Sequence, residues 1–394
     1  MHGFSRTLHV VVLTLAVLTG CTSRAGGNAT ATAPLPTAPL PTTPPAVTNA
    51  PVVQLPAGAV RTVATGLRIP WGLAFLPDGS ARVTQRGNRV AHGLGVDNSG
   101  IPRILKVTPD GRVTEVQRLP EVDRSAGEGG LLGIAVSPNY ATDGWVYIYY
   151  TAATDNRIAR LHLGERPQPI LTGIPIFDEN GFRFHEGGRL AFGPDGLLYA
   201  STGETYFTRD IAQDRANLGG KILRITPEGR PATGNPFGDS PVWSYGHRNV
   251  QGLAWDSHGR MYASELGEDL YDELNVILPG RNYGWPIVEG QGTDPQYVNP
   301  ITTWTPTRIA SPSGIAVLRD HVYVACLGGK RLYRVSLDGR TVEALLVGDY
   351  GRFRAIAVAP DGSLWLTTTN YDQAARESGL VPHPDDDRIL RIAP

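Results

Sequence analysis

Short apolar runs broken by glycine- and proline-bearing turns fill the chain from about residue 54 onward. The clearest unit is Gly188–Glu204, GRLAFGPDGLLYASTGE: an apolar run, Pro-Asp-Gly, then a second run rich in aromatic and small residues. That arrangement predicts a β-hairpin. The unit recurs from Trp71 (WGLAFLPDGSARVTQ), Leu132 (LGIAVSPNYATDGWVYIYYT), Gln251 (QGLAWDSHGRMYASE), Ser313 (SGIAVLRDHVYVACL) and Arg354 (RAIAVAPDGSLWLTTT). Six copies at a spacing of roughly 40–60 residues predict the six blades of a β-propeller. Further strand–turn elements begin at Arg103 (RILKVTPDG), Lys221 (KILRITPEG) and Arg331 (RLYRVSLDG), and the chain ends on RILRIAP from Arg388. The last blade therefore lacks an outer strand, and Ala59–Thr65 is expected to supply it, closing the ring and protecting its edges. The expected fold is all-β: a six-bladed propeller of four-stranded antiparallel blades, closed by an N-terminal strand.

Ahead of these repeats the pattern changes. Residues 1–20 read as an export signal, with His2 and Arg6 in its basic region and an apolar run from Leu8 to Leu18 too short to span a bilayer. The run ends in Leu18-Thr19-Gly20-Cys21, which resembles a bacterial lipobox. The resemblance implies cleavage before Cys21 and lipidation of that residue; an ordinary signal peptide is the alternative. Residues 21–52, rich in Thr, Ala and Pro, have no core to bury and read as a disordered tether. The propeller is expected over 53–394, as an extracytoplasmic bacterial lipoprotein held to the cell membrane through its lipid anchor alone.

Composition narrows the partners. Lys plus Arg number 36 against 37 Asp plus Glu, a net charge of −1, so neither nucleic acid nor an acidic membrane surface is an expected partner. The 47 glycines and 32 prolines suit many short strands joined by tight turns. Of the two cysteines, lipidation accounts for Cys21, which leaves Cys326 alone, excludes a disulfide framework and predicts a buried, inert thiol.

Polar clusters lie just outside the repeated strands: Gly127-Glu128-Gly129-Gly130, Phe184-His185-Glu186-Gly187-Gly188-Arg189, Gly246-His247-Arg248-Asn249, Ser264-Glu265-Leu266-Gly267-Glu268, Asp272-Glu273-Leu274-Asn275, Asn282-Tyr283-Gly284-Trp285-Pro286 and Gly351-Arg352-Phe353-Arg354. They share one register of the repeat, so a ring would gather them on one face. A histidine there suits proton transfer near neutral pH. Alternation puts Arg352 and Arg354 on one side of an extended strand, and forked guanidiniums suit carboxylates.

HEGGRLAFGPDG, GHRNVQGLAW, DELNVI with NYGWP, and GRFR together resemble the soluble glucose/sorbosone dehydrogenase family, which includes aldose sugar dehydrogenases that use pyrroloquinoline quinone (PQQ). The resemblance covers about residues 56–394 and implies a six-bladed propeller that oxidises the anomeric hydroxyl of aldoses to lactones with PQQ and Ca2+. It implies that His185 is the base, that Arg248 and Asn249 contact the quinone oxygens, and that Arg352 and Arg354 grip PQQ carboxylates. It also implies that the carbonyls of Gly267 and Glu268 hold the calcium bound to PQQ. Glu273, by its carboxylate, and Tyr283, by its backbone carbonyl, match a second calcium site. Electrons would pass to a separate acceptor; the sequence has no CxxCH haem motif.

Three positions depart from the pattern. Glu128 stands where the glucose enzyme has a glutamine toward PQQ, although a Gly-Glu-Gly-Gly version occurs in the broader family. Phe184 replaces an acidic residue that helps orient sugar. Gly328 falls where a PQQ-binding lysine is expected, and Lys330, two positions later, is the candidate replacement. Two other readings compete with the enzyme: a non-catalytic propeller binding a carbohydrate or protein, and a calcium-dependent lactonase on a similar scaffold.

Overall fold

Each copy of the repeat forms the two innermost strands of one four-stranded antiparallel sheet, and there are six such sheets. The computed structural model describes residues 44–87, 100–123, 126–177, 182–372, 374–375 and 378–393. The expected export signal, Cys21 and the expected tether as far as residue 43 lie outside the described residues.

Blade 1 shows how the sequence makes a sheet. Strand Pro70–Phe75 pairs with Ala81–Gln85, which pairs with Arg103–Val107 and then Val113–Arg118. Pro77-Asp78-Gly79 joins the first two: Leu76 N–H donates to the Ser80 carbonyl (2.8 Å), Asp78 Oδ1 accepts from Ser80 N–H (2.9 Å), and Gly79 takes φ 78°. This is a three-residue hairpin loop ending in a left-handed residue, where glycine carries no Cβ penalty.

The innermost strands, Pro70–Phe75, Leu131–Val136, Leu190–Phe192, Val250–Trp255, Pro312–Leu318 and Phe353–Val358, pack side by side in that order, and the last returns to the first. Four copies carry glycine just before the Leu-Ala or Ile-Ala pair, and the structure gives the reason. A Cβ on Gly72 would lie 2.9 Å from the Leu132 carbonyl oxygen, and one on Gly314 would lie 2.7 Å from that of Arg354. Neighbouring blades therefore meet backbone to backbone around the axis. Outward from it, the sheets pack face to face through buried apolar side chains. Between blades 4 and 5, Tyr262, Leu274, Val322, Val324 and Tyr333 surround Trp304, whose ring stacks on Tyr333 at 5.4 Å. Cys326 is buried in the same cluster, where burial pushes its thiol pKa well up, as expected of an inert thiol.

The expected closure is present. Val60–Ala64 pairs antiparallel with the last strand, Ile389–Ile392, with Val60 opposite Ile392, and completes blade 6. Residues 44–52, assigned by composition to the tether expected over 21–52, are instead seated on the propeller. Val47 N–H donates to the Thr303 carbonyl at 2.7 Å, Thr305 N–H returns a bond to Val47 at 3.0 Å, and Ala344 N–H donates to Pro51 at 2.9 Å. Ala50 is buried among the side chains of the blade 4–5 core. A short segment of mixed polarity shows no hydrophobic period, yet backbone bonds and one small apolar side chain suffice to seat it.

Candidate active site

A two-stranded parallel pairing assembles the site. Ala126–Gly127 lies beside Phe182–Arg183, and Glu128 N–H donates to the Arg183 carbonyl at 2.7 Å. This brings the Gly-Glu-Gly-Gly and His-Glu-Gly-Gly segments together: Glu128 Oε2 accepts from His185 N–H (3.1 Å) and from Asn249 Nδ2 (3.3 Å). The Glu128 carboxylate is thus turned onto neutral donors. Asn249 Oδ1 accepts from Gly187 N–H at 3.1 Å, so one asparagine ties the two loops.

His185 adopts φ 56°, a left-handed conformation that a non-glycine residue holds only under constraint. Gly203 supplies the room, since a Cβ there would fall on the His185 carbonyl. His185 Nδ1 is 2.8 Å from Glu204 Oε1, and Glu204 is fully buried. The other glutamate oxygen, Oε2, is buried with no hydrogen-bond partner. The imidazole packs edge-on to Tyr206 at 5.1 Å, and Tyr206 with Phe207 forms a half-exposed aromatic ledge beside it. With Glu204 accepting from Nδ1–H, the neutral tautomer keeps its lone pair on Nε2, the arrangement of a general base with an orienting carboxylate.

Next to this pair lies a cavity of about 290 Å³, the scale of a small organic ligand. Glu128, Phe184, Arg352, Arg354, Asp372 and Arg86 line much of it. Asp372 carries the two arginines of GRFR: Arg352 Nε is 3.5 Å from one carboxylate oxygen and Arg354 Nη2 is 3.4 Å from the other. Burial opposes the Asp372 charge, yet Arg352, Arg354 and Arg86 hold its pKa below the ordinary value. Arg354 also donates to Gln251 Oε1 at 2.8 Å, and burial pulls its pKa down to about 10. Arg352, Arg354 and Arg86 each keep a buried Nε without a hydrogen-bond partner. A wall of incompletely satisfied guanidiniums fits a polycarboxylate ligand such as PQQ.

A second, much smaller cavity of about 10 Å³, room for roughly one water-sized particle, is bordered by Arg248, Glu265, Gly267, Glu273, Tyr283 and Glu289. Glu265 and Glu273 face each other across paired strands. Burial, and then the charge of Glu265, raises the Glu273 pKa, and burial raises that of Asp272 to about 7. Among the described residues no group of three or more His, Cys, Asp or Glu side chains is set to hold a metal. A hard cation here would draw on carbonyl oxygens as well as carboxylates, which fits a calcium ion. The Tyr283 hydroxyl is already used, donating to the Val276 carbonyl (2.7 Å) and accepting from Leu278 N–H (2.8 Å), so only its backbone carbonyl is suited to such an ion.

The predicted residues divide accordingly. Glu128, Arg352 and Arg354 line the large cavity; His185, through its backbone N–H, and Asn249, through Nδ2, bond to the Glu128 carboxylate on its wall without bordering the cavity themselves. Arg248 donates to the carbonyl of Leu266, which borders both cavities, and its guanidinium lies over Trp285. Gly267, Glu273 and Tyr283 border the small cavity, whereas the Glu268 carboxylate is paired with Arg209. Lys330 does not border the large cavity. It sits in a turn at φ 50°, not on an extended strand, so two-residue alternation from Gly328 does not apply. A Cβ at Gly328 would lie 2.5 Å from Ser311 Oγ, so a lysine there would require that hydroxyl to turn away. Sequence reasoning missed Glu204, Arg86 and Asp372.

The six-bladed propeller, matched over most of its length by an oxidoreductase family, is of the oxidoreductase class. More narrowly, the chain belongs to the glucose/sorbosone dehydrogenase family, whose model matches residues 67–377. It is 46% identical to the aldose sugar dehydrogenase of Streptomyces coelicolor, solved in a PQQ-bound form, with a TM-score of 0.74 over 89% of this chain and 99% of that one. It is 28% identical to the aldose sugar dehydrogenase YliI of Escherichia coli over 76% of this chain and 86% of that protein. It is 33% identical to the protein slr1608 of Synechocystis over 80% and 85% of the two chains.

Proposed function

We propose that this protein is a PQQ- and calcium-dependent aldose dehydrogenase that oxidises the anomeric hydroxyl of a sugar to a lactone. The observation that carries the reading is the His185–Glu204 pair standing beside an arginine-lined cavity. Arg352, Arg354 and Asn249 would hold the quinone, with Arg248 at its oxygen-bearing edge; Gly267 and Glu268 carbonyls would hold one calcium, and Glu273 and Tyr283 a second. When bound, PQQ supplies the acceptor for the hydride leaving C1 of the sugar, with calcium as its Lewis acid.

The chain's own residues then manage the proton. His185 Nε2 takes the proton of the anomeric hydroxyl, and Glu204 stabilises the resulting imidazolium through Nδ1–H. Loss of that proton and of hydride from C1 leaves the lactone carbonyl. Phe184 and Tyr206 pack ring against ring beside His185, an apolar surface on which a sugar ring could rest. The export signal and Cys21 lipidation would place the reaction outside the cytoplasm, where a separate acceptor collects the electrons.

The test is titration of the purified protein with PQQ and calcium by calorimetry, with dye reduction across a panel of aldoses. Stoichiometric binding and sugar-dependent reduction, lost in His185→Ala, are expected. No PQQ binding at micromolar concentrations would leave a propeller that binds a carbohydrate or protein without catalysis.

A further inference from the structure

Three guanidiniums and two carboxylates line the large cavity, and they are not evenly matched. The Asp372 carboxylate is occupied by Arg352 and Arg354 and by the backbone N–H of Ala375 at 2.7 Å. The Glu128 carboxylate is occupied by His185 N–H and Asn249 Nδ2. Arg86 is left over. It is only 4% exposed, its Nε is buried without a partner, and its guanidinium makes no hydrogen bond or ion pair among the described residues. Asp372 and Glu128 act on it only through space, and burial lowers its pKa.

Its placement is rigid. Arg86 N–H donates to the Ile69 carbonyl at 3.1 Å, and its own carbonyl accepts from Leu131 N–H at 3.0 Å. Gly130, at φ 132°, leaves room for the side chain: a Cβ there would lie 2.8 Å from Arg86 Cγ. A buried cation with no hydrogen-bond partner among the described residues costs the fold stability, because its desolvation is offset only by charges acting through space. A side chain fixed in such a state, on a cavity wall with two further arginines, is built for an anion that arrives from outside.

We propose that Arg86 is a cofactor-binding residue, the third guanidinium of the cavity, and that it pairs with a carboxylate of the bound quinone. The proposal rests on the quinoprotein reading above. It differs from a structural role, in which Arg86 would brace blade 1 against Asp372 of blade 6. The two roles have opposite thermal signatures. A brace stabilises the protein without ligand. A binding residue penalises that form and stabilises the loaded one.

The experiment compares wild type, Arg86→Met and Arg86→Gln as purified proteins in calcium. PQQ affinity is read by quenching of tryptophan fluorescence, and thermal unfolding is recorded with and without PQQ. Arg86→Met is expected to melt at or above the wild-type temperature without PQQ, and to bind PQQ on the order of 10- to 100-fold more weakly, the loss of one charge-assisted pairing. Its melting temperature with PQQ should fall below that of loaded wild type. If Arg86→Met does not fold, Arg86→Gln carries the test, because it keeps polarity and loses the charge. A wild-type Kd in the folded variant overturns the proposal, as does a lowered melting temperature without PQQ combined with unchanged binding. Wild type that binds no PQQ overturns the cofactor reading itself, a separate outcome.

Discussion

Two histidine–glutamate pairs stand in adjacent blades, and they differ in one atom. His185 Nδ1 meets Glu204 at 2.8 Å, and His247 Nδ1 meets Glu265 at 2.9 Å. His247 Nε2 is then capped by Ser244 Oγ at 2.9 Å, its ring stacks on Tyr283, and no part of it is exposed. Glu265 is equally committed, since its second oxygen receives the Arg248 backbone N–H. His185 has no such cap among the described residues, and the second oxygen of Glu204 is unpartnered. The same pair of side chains is therefore a strut where every lone pair is satisfied and a candidate base where one is left open. The resemblance of Ser244–His247–Glu265 to a hydrolytic triad is geometric only, since all three are buried away from any substrate.

Swapping the phenotype of the two histidines is the strongest way to break this comparison. His185→Ala, combined with Glu204→Gln so that no buried charge loses its partner, should lower turnover by about 10²- to 10⁴-fold in a dye-reduction assay while leaving thermal unfolding near wild type. His247→Ala should do the reverse, costing roughly 3–5 kcal/mol in urea denaturation because Glu265 is left buried and uncapped. Equal loss of stability in both would remove the distinction. A smaller effect is expected from Glu204→Gln, which keeps the shape of the pair and removes its charge: kcat should fall by about 10²-fold with KM little changed.

Glu186, the neighbour of His185, sharpens the contrast because it is a buried carboxylate with no histidine. Burial raises its pKa to about 8 from the ordinary 4.5, against the effect of Asn156. Folding thus takes up a proton between those values. The stabilisation is present in full below pH 4.5 and is lost as pH rises through 8. Glu186→Gln should therefore gain stability relative to wild type between pH 5 and 8.5, on the order of 2–4 kcal/mol by denaturation at each pH. A constant difference across that range would contradict it. Smallest of all is Arg209→Ala. It removes a partly exposed ion pair with Glu268 and should change stability by less than about 1 kcal/mol.

Much of this architecture was legible because it repeats. The Pro-Asp-Gly turns and the glycine before Leu-Ala or Ile-Ala report local demands, a left-handed corner and a backbone contact, that each blade meets again. Arg352 and Arg354 were legible for a similar reason, since a strand sets residues two apart on one side. Glu204 was in view at the end of the clearest copy, and its signal was equivalence: Glu265 ends the next hairpin in the same place and meets the preceding histidine in the same way. Arg86 and Asp372 had no comparable signal. They come from the first and last blades, and only the closing of the ring brings them to one cavity. Lys330 was reached by strand alternation, which does not hold across the turn in which it sits.

The seating of residues 47–53 also decides where a mechanical load would fall. The chain crosses blade 4 at Val47 and blade 5 at Val52 before it reaches the closing strand at Val60. Tension from the direction of Pro44 would be taken up by those two backbone clamps first. The seam between Val60–Ala64 and Ile389–Ile392, on which the integrity of the ring depends, would feel a pull only after both had peeled away.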